Sequence, residues 1–434
     1  QTDGLGLLIR SMREGKFPVL PWGREWWLPL IAVDDLAQVI AGLVDTEQLD
    51  QQTYYALNAR EGTPDFPAMV QFFAKELRMK PPTVRVSLAF IKKVLHSGGH
   101  RFLGVPANAM DFIVQKDFPL HPVGQLKQQR GIADYEMAYH LPHVVADLDY
   151  RLSAHDQPPT AFVRERIGPL AAYHKAGTEG KPWLFLHGLF SDMSDFFLLA
   201  ERLQEEVWLV DLPGFGRSPY HHREGMIDGY LEAVAQALRE LPSPVHLVGH
   251  SFGGYVAAKL AERVPERIEQ LYLLQPPLQA PEYPTMLKKV GSMPALLDWI
   301  MRKQMTPERM ENMLLEQGVF HSTGEIPSGY ARKASSLLQS PRIRKTNLEL
   351  LRFFMNEFAK KGTALSAAVP TEVIWGVHDK VYQLSSDIEQ ALNRQNIGVE
   401  KLKLGHHFPL SHPELTAELL IKLRNKRSTH SLPY

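Results

Sequence analysis

The residues of this 434-residue chain whose types and spacing best suit covalent chemistry are Gly249-His250-Ser251-Phe252-Gly253. A short apolar run from Val245 to Val248 leads into them and reads as a buried strand, and Tyr255-Val256-Ala257-Ala258-Lys259-Leu260 reads as the helix that follows. A strand, a sharp turn and a helix in that order lift the Ser251 hydroxyl off the sheet edge, and the crowded backbone admits only glycine at positions 249 and 253. At a helix N-terminus the dipole and the free amides favour negative charge on the reacting atoms. The pattern points to nucleophilic attack by Ser251, with a helix-capping serine beside packing glycines as the plainer alternative.

Elements that position such a serine need a sizeable core, and 434 residues suffice for two domains. Hydrophobic residues at 44% and charged residues at 22% are ordinary for a soluble globular chain. Lys plus Arg and Asp plus Glu both number 48, so no general affinity for nucleic acid or anionic membrane is expected. The absence of cysteine excludes disulfides, thiolate catalysis and Cys-ligated metals, and it fits a reducing, cytoplasmic setting. No apolar run is long enough for a transmembrane helix. His221-His222 lacks companions at metal-ligand spacing, and neither metal nor cofactor is expected. The first residue is Gln1 with no signal-peptide pattern before it, as in a sequence that begins inside a longer product.

Residues 1–155 alternate helices and short strands. Gly4 to Arg13 reads as a helix; Trp26 to Val33 is an apolar strand leading to Asp34-Asp35-Leu36-Ala37, where an aspartate caps a helix to about Val44. Thr53 to Asn58 reads as a strand and Phe66 to Leu77 as an amphipathic helix. This order resembles the C-terminal, substrate-binding half of extended short-chain dehydrogenases and epimerases. The family's glycine-rich turn and Tyr-x-x-x-Lys pair are both missing, so no dinucleotide binding is expected and a structural or docking role is the reading. Polar, proline-containing stretches at Pro81 to Val86 and Ser153 to Pro159 mark linkers, the second being the better boundary.

From residue 156 to 434 the pattern is α/β. Strands are expected at Phe162–Ile167, Leu170–His174, Trp183–Leu186, Val207–Asp211, the elbow strand, Ile268–Leu274, Val373–Gly376 and Val399–Leu404, with helices between them. Such a sheet is mostly parallel, and its sites lie at the carboxyl ends of strands. Between Pro276 and about Ala368 the strand pattern stops, and Met286–Met301, Pro307–Glu316 and Leu348–Phe358 read as amphipathic helices rich in Met and Leu. Charge runs at Arg342–Lys345 and Arg424–Arg427 read as solvated surface.

His187-Gly188-Leu189-Phe190, Asp211-Leu212-Pro213-Gly214-Phe215-Gly216-Arg217-Ser218, the elbow, Gly376-Val377-His378-Asp379 and Gly405-His406-His407-Phe408-Pro409 together resemble an α/β-hydrolase, in matching order over about 270 residues. The resemblance makes Ser251 the nucleophile and His406 the base that takes its proton, with His407 the runner-up and His250, His378 and His412 behind it. It makes Asp379 the carboxylate that orients the imidazole, since Leu274-Gln275-Pro276-Pro277 offers no acid; Asp211 is read as holding the loop after it. The oxyanion donors it implies are the amides of Phe252 and Leu189. It also implies a helical cap at about 276–368 over the site, suited to an acyl or aromatic substrate. The expected activity is hydrolysis of a small-molecule carboxylic ester through an acyl-enzyme on Ser251; a lactone or thioester would use the same apparatus. A serine in place of an aspartate argues against dehalogenase and epoxide hydrolase chemistry, and the other classes weighed are a non-catalytic ligand-binding scaffold and a reductase.

Overall fold

The computed structural model describes residues 4–428, apart from 24–25, 47–52, 104–107, 109, 134–136, 155–156, 223–224, 243, 282–290, 292, 359–364 and 366–367. The chain forms two compact units, Gln1–Leu152 and Ser153–Tyr434.

The second unit is built on strands β3 (Val163–Ile167), β4 (Leu170–Lys175), β5 (Thr178–Leu186), β6 (Glu205–Val210), β7 (Val245–His250), β8 (Ile268–Leu274), β9 (Thr371–Gly376) and β10 (Gly398–Leu402). They form one sheet in the order β10-β9-β8-β7-β5-β6-β4-β3. Pairings from β10 to β6 are parallel; β4 runs antiparallel to both its neighbours. The inner strands β7, β8 and β9 are buried on both faces and largely apolar, whereas the edge strands β3 and β10 are charged and mostly not buried. Leu184, Leu186, Leu247, Leu271 and Leu273 pack on one side with the helices Met226–Glu240 and Phe252–Arg263. Trp183, Phe185, Val248, Tyr272 and Leu274 pack on the other with Phe197–Glu201 and Pro413–Ser428. Period-two alternation thus splits the inner strands between two cores.

His246 on β7 is 6% exposed and packs on the Trp183 ring at 4.5 Å between centroids. Burial, with a smaller contribution from Lys181, pushes its pKa down to about 4. In the unfolded chain it takes up a proton near pH 6.5. Between those values the unfolded state holds the extra proton, so stability is undiminished above about pH 6.5 and falls toward pH 4, by up to about 1.4 kcal/mol per unit. His246→Phe is expected to flatten that slope by about one proton in urea unfolding series between pH 4 and 6.5. An unchanged slope would show that the imidazole stays hydrated.

Between β8 and β9 lies a helical insertion containing Pro294–Lys303, Pro307–Glu316, Tyr330–Leu337 and Pro341–Phe353. Part of the helix expected over Met286–Met301 falls outside the described residues. Leu297, Met301, Met310, Leu314, Phe320, Leu348 and Leu351 form a core of the insertion's own. The reading of Arg342–Lys345 as solvated surface is overturned: Arg342 is 0% exposed and Arg344 3%. The Arg342 guanidinium donates to the carbonyls of Phe215 (3.3 Å), Ser218 (2.7 Å) and Gly216 (2.7 Å), while Arg344 donates to Asp298 at 2.9 Å and to the Leu338 carbonyl at 2.7 Å. Arginine serves here because its planar fork can satisfy several buried carbonyls at once. In the second expected charge run, Arg424 pairs with Glu205.

In the first unit β1 (Val19–Trp22) pairs in parallel with β2 (Val84–Ser87), so the stretch read as a linker at Pro81 to Val86 runs into a strand. The crossover holds the helices Val33–Val44 and Phe66–Glu76. The second carries Phe66, Met69, Val70 and Phe73 into a core shared with Leu8, Ile9 and Leu20. Two strand readings fail here. Among the described residues, Trp26 to Val33 makes only isolated bridges at Trp27, and Thr53 to Asn58 pairs in no ladder. Asp34 and Asp35 lie in the first turn of their helix, with Ala32 at the cap position; Asp35 is 1% exposed and paired with Lys127 at 2.7 Å.

Candidate active site

The turn after β7 places Ser251 at the N-cap of the helix Phe252–Arg263 with φ 52° and ψ −118°, a strained conformation for a residue with a side chain. The turn closes so tightly that a Cβ on Gly249 would land on the Gly253 carbonyl, and one on Gly253 on the carbonyl of Leu186. Ser251 is 7% exposed. Its amide donates to the Leu274 carbonyl at 2.9 Å, which ties the turn to the end of β8.

His406 follows the end of β10, and its Nδ1 donates to Asp379 Oδ2 at 2.6 Å, leaving Nε2 as the acceptor. Asp379, beyond β9, is held by four hydrogen bonds in all. Its Oδ1 accepts the amides of Val381 (2.8 Å) and Tyr382 (3.1 Å), and Oδ2 also accepts Gln275 Nε2 at 2.8 Å. Gln275, at φ 50° and fully buried, accepts the Gly376 amide on its Oε1 at 2.6 Å. Position 275 thus supplies a donor to the carboxylate, a contribution that inspection of Leu274-Gln275-Pro276-Pro277 for an acid passes over. The backbone amides of His406 and His407 donate to the insertion's Gly318 and Val319 carbonyls, each at 2.9 Å. No hydrogen bond joins the Ser251 hydroxyl to His406; the two share one cavity wall, and such contacts commonly tighten only with substrate bound.

His407 points elsewhere. Its Nε2 meets Asp195 Oδ2 at 3.2 Å, and its ring stacks on His250 with centroids 4.6 Å apart. Burial works against ionisation of Asp195, but the Lys333 ammonium at 3.1 Å, with hydrogen bonds from His407 and Ser191, outweighs it and holds the carboxyl well below its ordinary range. Lys333 also meets Asp192 at 2.8 Å. His250 Nε2 donates to the His406 carbonyl at 3.0 Å; burial and its histidine neighbours keep it neutral, well below the usual imidazole range. His378 stacks on His321, away from these contacts, and His412 meets Ser411 Oγ at 2.9 Å. Asp211 accepts the amides of Arg217 (2.7 Å) and Met193 (2.9 Å), the loop-holding role read for it, and burial followed by the nearby Asp192 pushes its pKa up to about 7.

Among the described residues, neither the Leu189 nor the Phe252 amide donates an internal hydrogen bond. A cavity of about 370 Å³ contains Leu189, Ser251, Asp379 and His406 in its wall, and Leu297, Met301, Met305, Met313 and Leu351 of the insertion complete it. Among the described residues, no Lys or Arg lines it. No group of three or more metal-ligating side chains is found among the described residues.

A serine on a strained strand-to-helix turn, an imidazole joined to a buried carboxylate, and two unengaged amides at the carboxyl ends of parallel strands define a hydrolase arrangement. The chain belongs to the alpha/beta hydrolase family, whose profile matches residues 183–419, over half of its length. It is 30% identical over 257 residues to the monoacylglycerol lipase ABHD6 of Homo sapiens and 28% identical over 257 residues to that of Bos taurus, each alignment covering 55% of this chain and 73% of the relative. A thermophilic esterase from Thermogutta terrifontis superposes with a TM-score of 0.48 at 20% identity, over 61% of this chain and 98% of the other. The chain is an α/β-hydrolase of the esterase and lipase type, a carboxylic-ester hydrolase. No helix among the described residues is long and apolar enough to cross a membrane.

Proposed function

We propose that the protein hydrolyses neutral carboxylic esters through an acyl-enzyme on Ser251, with the helical insertion as a cap over the acyl pocket. The observation that carries this is the 2.6 Å bond from His406 to Asp379 in the wall that also holds Ser251. In that arrangement His406 Nε2 takes the Ser251 proton as Oγ attacks the ester carbonyl. The oxyanion forms against the Leu189 and Phe252 amides, and the tetrahedral intermediate collapses by expelling the alcohol, protonated by His406. Water activated by the same imidazole then releases the acid.

An apolar wall with no Lys or Arg among its described residues selects the acyl group by hydrophobic burial and penalises an unpaired charge. With p-nitrophenyl esters, kcat/KM is expected to rise about fourfold for each added methylene, until the chain outgrows the cavity. An acyl chain of equal length ending in a carboxylate is expected to react at least about 100-fold more slowly. A flat length profile, or equal rates for the two chain types, would contradict this assignment of the pocket.

For the first unit we keep the reading as a structural or docking domain resembling the substrate-binding half of an extended short-chain dehydrogenase. Its parallel strand pair with an intervening helical crossover is compatible with that resemblance.

A further inference from the structure

Phe190, next after Leu189 in the loop that leaves β5, has φ 55°, and its amide donates to Asn347 Oδ1 at 2.7 Å. Asn347 lies on the insertion helix Pro341–Phe353, is 1% exposed, and donates its Nδ2 to the Ile343 carbonyl at 3.0 Å. The peptide unit on the other side of Leu189 is held by the sheet unit itself. His187 Nδ1 donates to the Gly188 carbonyl at 2.8 Å, and its Nε2 accepts the Leu212 amide at 3.0 Å. Carbonyl and amide of one trans peptide point in opposite directions, so the Gly188 carbonyl tied to His187 turns the Leu189 amide the other way. The loop runs directly against the nucleophile, since a Cβ on Gly188 would come 3.0 Å from Ser251 Cβ. Both peptide planes that flank Leu189 are therefore pinned, one from the sheet and one from the insertion. A side-chain-bearing residue at positive φ stays there only where its surroundings hold it, and at Phe190 the holding bond comes from Asn347.

We infer that Asn347 is a positioning residue for the oxyanion site: through the Phe190 amide it fixes the Leu189 donor beside Ser251, so the insertion sets catalytic geometry as well as enclosing substrate. The inference rests on the Ser251 hydrolase reading. Asn347→Leu removes the acceptor and nothing that touches substrate. Loss of a whole oxyanion donor typically lowers kcat by about 10²–10³-fold, and a donor left present but unaimed loses part of that.

The test measures kcat and KM on p-nitrophenyl butyrate, and inhibition by an alkyl trifluoromethyl ketone that forms a tetrahedral adduct, for wild type, Asn347→Leu, Asn347→Asp and Ser251→Ala. Asn347→Leu is expected to lower kcat by about 10- to 100-fold with KM within about twofold, and to weaken ketone inhibition by the same factor as kcat. Asn347→Asp keeps an acceptor and is expected to stay within about fivefold of wild type in both readouts. Should Asn347→Leu fail to fold, Asn347→Ser is too short to reach Phe190 and carries the same expectation. Unchanged kcat and ketone inhibition in Asn347→Leu, with Ser251→Ala inactive, overturn this inference alone. A fully active Ser251→Ala overturns the reading of Ser251 as nucleophile and this inference with it.

Discussion

Ser251→Ala is expected to lower kcat on short p-nitrophenyl esters by at least about 10³-fold while leaving the fold intact. The substitution deletes one oxygen. That oxygen has no hydrogen-bond partner among the described residues, so no internal bond is lost with it. The backbone strain at φ 52° is the same for alanine as for serine, and the tight Gly249–Gly253 turn is untouched. What disappears is the covalent route. The oxyanion amides and the pocket remain and sustain only the residual rate that binding and charge stabilisation give to attack by water. The measurement is kcat together with a thermal melt. A midpoint within a few degrees of wild type alongside lost activity separates chemistry from folding, and a loss of less than about tenfold would remove Ser251 from the mechanism.

Asp379→Asn is expected to lower kcat by about 10³–10⁴-fold, because every group facing that side chain is a donor. Oδ1 faces the amides of Val381 and Tyr382; Oδ2 faces Gln275 Nε2 and the His406 Nδ1 proton. A carboxylate can accept all four, whereas a carboxamide must turn an NH₂ toward one pair. With the NH₂ toward His406, the imidazole flips to the tautomer protonated on Nε2 and cannot take the serine proton. With it toward the backbone, two buried amides lose their acceptor. The check is kcat and the rate of fluorophosphonate labelling at pH 8, both expected to fall together, since both require deprotonated Ser251. Labelling at the wild-type rate would show that Asp379 does not govern the imidazole.

The sheet was legible because its inner strands are buried on both faces, which writes runs such as Trp183-Leu184-Phe185-Leu186 into the chain. The first unit was less so. Thr53 to Asn58 has strand-forming residues but, among the described residues, only the Asn58 amide bonds to the Leu30 carbonyl in a strand-like manner, and β-propensity without further pairing makes no ladder. Motif spacing ranked His406 above His407, but their orientations follow from carboxylates remote in sequence, Asp379 for one and Asp195 for the other. Arg342 misled because a charge run predicts solvent only when no acceptors wait inside, and the carbonyls of Phe215, Gly216 and Ser218 form such a set. Gln275 and Asn347 leave no pattern in sequence at all. Each acts by one amide group reaching an element about 100 or more residues away, as the 104-residue separation of Gln275 from Asp379 illustrates.

The most direct test of a serine-based acyl-transfer mechanism is mass spectrometry of the protein after reaction with a fluorophosphonate and, separately, after rapid acid quench during turnover of a p-nitrophenyl ester. One adduct per chain is expected in each case, mapping to the peptide that contains Ser251 and absent from Ser251→Ala. An adduct on another residue, or ester turnover that persists in Ser251→Ala with no adduct at all, would contradict the account.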